Sequence, residues 1–151
     1  MDARRLRSFG AFQISSTSPF PPGSLTAWGR HSMAGITKFV IMVSDGPYAS
    51  LKPYTALRYA RSARKRGLET RVIFYADGVL CVKKGVGRDS QTVSDFEAKI
   101  RSLIEEGIHV EACSAPMRLY LLGNGDLIDG VEVAEDVIGH SLDEETRVIW
   151  L

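Results

Sequence analysis

Short apolar runs closed by turn signals alternate along this chain with stretches of helical period. The first run, residues 38–43 (KFVIMV), stops at Ser44, Asp45, Gly46 and Pro47, as expected of a central strand buried on both faces. From 51 to 66 the small or apolar positions Tyr54, Leu57, Ala60 and Ala63 recur every three residues. Arg58, Arg61 and Lys65 line another face, and Gly67 stands where a C-cap is expected. This spacing predicts an amphipathic helix, its basic face either solvated surface or a dock for an acidic partner.

The pattern then repeats. Residues 70–75 (TRVIFY) read as a second strand ending at Ala76, Asp77 and Gly78, an Asp-Gly turn in which Gly78 supplies a positive φ. Residues 80–87, with Cys81, Lys83 and Lys84, read as a loop or short helix. Asp89 or Ser90 caps the next helix, whose stripe is Val93, Phe96, Ile100, Leu103 and Ile104, and Gly107 stops it. A third strand at 108–112 delivers Cys113 to a corner where Ser114, Ala115 and Pro116 open another helix, with Pro116 suited to the first turn. Gly123 to Asp126 end that element; 131–133 is a short strand, 134–139 a short helix and 146–151 the last strand. This order predicts an α/β fold, a three-layer α/β/α sandwich with a mainly parallel five-stranded sheet and right-handed crossovers.

Residues 1–35 depart from the pattern. The first 32 hold six serines, prolines at 19, 21 and 22, and no sustained period, so they cannot bury enough apolar surface to order alone. A disordered extension or a misassigned start is expected there, with Met33 directly before the first strand and an organelle transit peptide as the second reading. Residues 36–151 are expected to form a single domain. A hydrophobic content of 44% and a charged content of 25% suit an ordinary globular chain.

Charge narrows the partners. Four arginines and one aspartate precede Met33, leaving 15 basic and 17 acidic residues from there on. That balance argues against a general nucleic-acid surface, which needs a concentrated basic patch. No apolar run approaches the ~18 residues that span a bilayer. Two cysteines at the ends of different strands are no disulfide framework and no CxxC pair, which fits a reducing cytoplasm.

In a parallel sheet the loops after the first three strands open at one edge, where such folds place their sites. Asp45 and Gly46, Asp77 and Gly78, and Cys113 and Ser114 fall there, with Arg118 one helical turn beyond. No GxxxxGK[ST] or GxGxxG follows a strand, and the Gly123-to-Gly125 turn follows a predicted helix. A receiver domain would want an aspartate where Cys113 stands. His31, His109 and His140 are too scattered for a zinc site or a Cys-His catalytic set, and no metal ligands or organic cofactor are indicated. Thiol exchange remains as the most economical chemistry, since a thiolate at a helix start can take a sulfur from a donor persulfide and lose it to an acceptor. The competing reading makes Cys113 a small apolar filler. Cys81 is read either as a resolving thiol for Cys113 or as incidental. Lys83 and Lys84 either attract an anionic sulfur donor or are solvated surface.

Four segments in order, 39–47 (FVIMVSDGP), 72–79 with 83–86 (VIFYADGV, KKGV), 110–115 (VEACSA) and 130–134 (GVEVA) before a closing hydrophobic strand, resemble the DsrE/DsrF-like family. That family, the DsrEFH superfamily, includes the TusD sulfur carrier and YchN-type proteins. The resemblance implies a three-layer α/β/α domain in a cytoplasmic oligomer (dimer, trimer or hexamer), with no cofactor. It also implies that Cys113 accepts and relays sulfur between protein donor and acceptor, as a carrier more than a turnover enzyme. Pro116, Met117 and a single Arg118 depart from the run of small residues and the Arg-Arg-Gly turn common after that cysteine. The alternative within the same fold is an oligomeric small-ligand-binding or regulatory domain without thiol chemistry.

Overall fold

A computed structural model describes residues 35–86 and 95–151. Residues 1–34 of the expected extension at 1–35 and the expected helix start at Asp89, Ser90 and Val93 lie outside them. Five strands, β1 (Lys38–Val43), β2 (Glu69–Phe74), β3 (His109–Cys113), β4 (Glu132–Ala134) and β5 (Thr146–Trp150), form one sheet in the order β4-β3-β2-β1-β5. Every pairing is parallel, with Val40 opposite Arg71 and Val148, Phe74 opposite Ala112, and Cys113 opposite Ala134. The α-helices are α1 (Lys52–Lys65), α2 (Phe96–Glu105) and α3 (Ser114–Leu119). The α/β class with an all-parallel five-stranded sheet flanked by helices is as the pattern predicts.

Strand residues alternate between faces. Ile41, Val43, Val72, Phe74, Val110 and Ala112 point to one side, where they pack with Ala56, Leu57 and Ala60 of α1, Phe96, Ile100 and Leu103 of α2, and Met117 of α3. Phe96 anchors this layer, edge-on to Tyr54 at 5.0 Å and to Phe74 at 6.5 Å. Burying each such phenyl ring contributes ~2–3 kcal/mol. Both long helices end as their glycines predict. Gly67 and Gly107 take φ of +82° and +77°, and the following N–H groups, Leu68 and Ile108, bond back to Ala63 and Leu103. These closures turn each helix directly into the next strand. α2 starts from Asp95, whose carboxylate accepts from the Ala98 N–H.

The opposite face carries a thinner layer. Val40, Met42 and Ile73 are buried there with Tyr75, Val137 and Val148 around them. Their cover is the connection 135–145, which crosses from β4 at one sheet edge to β5 at the other with a single 3-10 turn at Gly139–Ser141. Side-chain bonds fasten it: Glu135 accepts from Ser114, Asp143 pairs with Lys38 at 3.1 Å, and Glu145 accepts from Thr37, while His140 Nε2 stands 3.5 Å from Glu111 Oε2. The expected helix at 134–139 does not form. The Asp136 carboxylate accepts from the N–H groups of Ile138 and Gly139, a turn that replaces the helical bonds those amides would otherwise make. Among the described residues no helix is long and apolar enough to cross a membrane.

Two further boundaries shift. The loop after β2 is a 3-10 helix over Ala76–Val82, and the element after Cys113 stops at Leu119, not at the glycine turn, because Leu121 takes a left-handed φ of +54°. Gly78 is also needed for a reason other than the expected positive φ, which falls on Ala76 at +47°. A Cβ on Gly78 would lie 2.2 Å from the Val43 carbonyl oxygen, so only glycine lets this turn press against the end of β1.

Candidate functional site

The loops after β1, β2 and β3 meet at the carboxyl edge of the sheet, but the residues there fall into two groups. In the first, the Asp45 carboxylate accepts from Ser50 Oγ at 2.7 Å and Ser44 Oγ at 3.1 Å, with Lys52 Nζ at 3.4 Å. The Ser50 hydrogen bond chiefly draws its pKa below the usual carboxylate range, against a smaller opposing cost of burial. Asp45 is thereby committed to closing its own loop onto α1. Gly46 approaches the backbone of Asp77, where an added Cβ would stand 3.5 Å from the Asp77 carbonyl oxygen. Asp77 in turn accepts from the Tyr120 hydroxyl, and that bond raises the Tyr120 pKa. Asp45, Gly46, Asp77, Gly78 and Tyr120 therefore tie three loops together.

Cys81 belongs beneath this group. It is fully buried in the helix-side core, donating from Sγ to the Asp45 carbonyl oxygen at 3.5 Å. Burial, and secondarily the Asp45 charge, pushes its thiol up to about 12. Of the two readings of Cys81, resolving thiol or incidental, its placement favours the second: Cys81 packs on the helix side, while alternation from Val110 and Ala112 sends the Cys113 side chain to the other face.

The second group surrounds Cys113. It is a free thiol of intermediate exposure at the last position of β3, and as the N-cap residue of α3 it makes no side-chain cap bond. Next to it, the buried Ser114 hydroxyl donates to Glu135 Oε2 at 2.7 Å, and Arg118 Nη1 lies 3.9 Å from the same oxygen. The pairing of Cys113 with Ala134 is what brings Glu135 alongside Ser114. On the other flank Tyr75 follows the Phe74–Ala112 pair, and its ring stands edge-on to Trp150 at 5.8 Å. Cys113 thus ends β3 directly before the serine of a hydroxyl–carboxylate–guanidinium set, and the aromatic Tyr75 follows the neighbouring strand β2. α3 has only six residues, so few aligned amides face Cys113, and Glu135 adds a negative charge beside them.

The structure therefore joins Ser114 and Arg118 to Cys113, and Asp45, Gly46, Asp77 and Gly78 to one another. Lys84 serves neither group, since its ammonium bonds to Asp129 at 3.0 Å and to the Gly125 carbonyl. Glu135 and Tyr120 are members that nothing in the sequence marks; knowledge that β4 neighbours β3 would have found the first. Among the described residues no group of three or more His, Cys, Asp or Glu side chains is arranged to hold a metal ion.

Comparison with known proteins bears on the whole domain. The chain is 35% identical over 100 residues to the uncharacterized protein MK0008 of Methanopyrus kandleri, spanning 66% of this chain and 81% of that one. It is 29% identical over 97 residues to the uncharacterized protein MJ0989 of Methanocaldococcus jannaschii, spanning 64% and 83%. Among solved structures the ychN protein from E. coli superposes with a TM-score of 0.66 at 21% identity, covering 77% of this chain and all of that one. MTH1491 of Methanobacterium thermoautotrophicum, a protein of unknown function, superposes with a TM-score of 0.58, also at 21% identity, covering 76% and 99%. At those identities the two structures speak for the fold alone. Residues 37–150 match the model of one family along their whole length, and the chain belongs to the DsrE/DsrF-like family.

Proposed function

We propose that this protein is a sulfur carrier that accepts a sulfane sulfur on Cys113 and passes it to a partner protein. One observation carries the reading: of the two free cysteines, Cys113 is part-exposed at the carboxyl edge of a central strand, whereas Cys81 is sealed in the core. Membership of the DsrE/DsrF-like family supports it. In the transfer, the Cys113 thiolate attacks the outer sulfur of a donor persulfide. The donor S–S bond breaks, its inner sulfur leaves as a thiolate, and Cys113 holds the new S–S bond as a persulfide. An acceptor thiolate then attacks the terminal sulfur and regenerates Cys113. No electrons are gained or lost overall, so no oxidant, metal or organic cofactor enters. The reading carries with it protein donor and acceptor partners, a reducing cytoplasmic setting and an oligomer.

The guanidinium of Arg118, largely exposed and loosely placed near Glu135, is the positive charge available to an anionic donor or to the terminal persulfide sulfur. The test is intact-mass spectrometry after incubation with a persulfide donor. A gain of one sulfur atom is expected in the wild type and in Cys81→Ala and is expected to vanish in Cys113→Ala. No gain in the wild type, or a gain that survives Cys113→Ala, overturns the proposal and leaves the regulatory or ligand-binding reading of the same fold.

A further inference from the structure

β5 closes one side of the sheet, and among the described residues no strand lies beyond it. Its backbone alternates in direction. Leu151 donates its N–H to the Met42 carbonyl at 2.8 Å and accepts from the Ser44 N–H at 3.0 Å, so the odd-numbered residues of β5 face β1. The N–H and C=O groups of Val148 and Trp150 therefore point out of the sheet. Thr146 is already engaged, its N–H bonding to the Asp143 carbonyl at 3.0 Å.

Edges of this kind are normally blunted by shortness, lysine, proline or a bulge. The opposite edge, β4, is blunted: it has three residues and an exposed Glu132. β5 reads TRVIW, four of its five residues strong β-formers, with no proline, lysine or acid and the exposed Arg147 as its one charge. Trp150, on the face shared with Val148, is 57% exposed at this edge.

We propose that β5 pairs antiparallel with β5 of a second copy of this chain about a two-fold axis, joining two five-stranded sheets into one. Only one symmetric register uses all the outward groups. With Val148 opposite the partner's Trp150, and Trp150 opposite the partner's Val148, two N–H and two C=O groups from each chain make four hydrogen bonds. Centring on Val148 would instead set Trp150 against Thr146, whose N–H is taken. The register has consequences on both faces. Trp150 is covered by the partner's Val148, and Ile149 meets the partner's Ile149 in a non-hydrogen-bonded pair, where Cα atoms approach to about 4.5 Å. A second copy is favoured over an arbitrary extended peptide because the edge complements itself residue for residue. The pairing does not depend on the thiol chemistry proposed above.

The test uses the full chain in a Cys113→Ser background, so that the native exposed thiol forms no links. Ile149→Cys is expected to give a disulfide-linked dimer on mild oxidation, since about 4.5 Å lies within the Cα range of disulfides. Val148→Cys, facing tryptophan, is expected to stay unlinked. By sedimentation at micromolar concentration the wild type is expected at twice 16.6 kDa or an even multiple, and Trp150→Lys at a lower mass with unchanged far-ultraviolet dichroism. A wild-type monomer, an odd-numbered assembly, or linking at 148 as strong as at 149 overturns the proposal. So does a mass that Trp150→Lys leaves unchanged while Ile149→Cys stays unlinked.

Discussion

Cys81 is packed among the residues that α1 and α2 cover, while Cys113 ends β3 on the face that, among the described residues, the 135–145 connection crosses. Both lie toward the carboxyl end of the sheet, so position along the strands does not separate them. What separates them is the depth of the layer over each face. Two long helices with interlocking aromatic rings close one side, and a strap held by Ser114, Lys38 and Thr37 crosses the other. A sheet of this class can thus keep one sulfur as packing and expose another a short distance away.

The sharpest way to break this contrast is alkylation of the native protein. Cys113 is expected to react roughly a thousandfold faster than Cys81, whose modification requires the helix layer to open. Peptide mapping of a time course checks this, and comparable rates would mean that the layer over Cys81 is far looser than its burial implies. Next in size is Gly78→Ala. The added methyl would meet the Val43 carbonyl oxygen at 2.2 Å, so a loss of about 3 kcal/mol is expected in urea unfolding. An unchanged midpoint would show that the turn can back away from β1.

A smaller effect concerns pH. The Cys81 thiol rises in the folded protein from the ordinary 9.0 to about 12, so between these values the unfolded chain ionises while the native one keeps its proton. The native state then binds more protons, and stability falls as pH rises: the loss is absent below pH 9 and grows toward pH 12. Relative to Cys81→Val, the wild type is expected to lose about 2–3 kcal/mol by pH 11. Parallel unfolding curves for the two proteins across pH 8 to 11 would contradict it.

Much of this arrangement is legible in the sequence because its causes are local. The apolar run at 39–43, the helical stripe through Leu57, Ala60 and Ala63, and the positive-φ caps Gly67 and Gly107 each act within a few residues. Cys113 at a strand-to-helix corner is legible for the same reason. The rest depends on contacts far apart in the chain. Gly78 answers to the Val43 carbonyl, Glu135 reaches Ser114 only because β4 pairs with β3, and Cys81 is buried by helices that its own neighbours do not announce. Residues 134–139 mislead for a different reason: the short side chain of Asp136 competes locally for the amides a helix would need.

The helix-free connection also has a consequence for how readily this chain tolerates change. Doubling the length of a flexible connection adds only about 0.6 kcal/mol of closure entropy. Ile138 and Leu142 already face outward from the strap without supporting the sheet. Its outer turn is therefore the natural place to graft a recognition peptide or reporter, in reach of the Cys113 face and away from the aromatic interlock that keeps the domain folded.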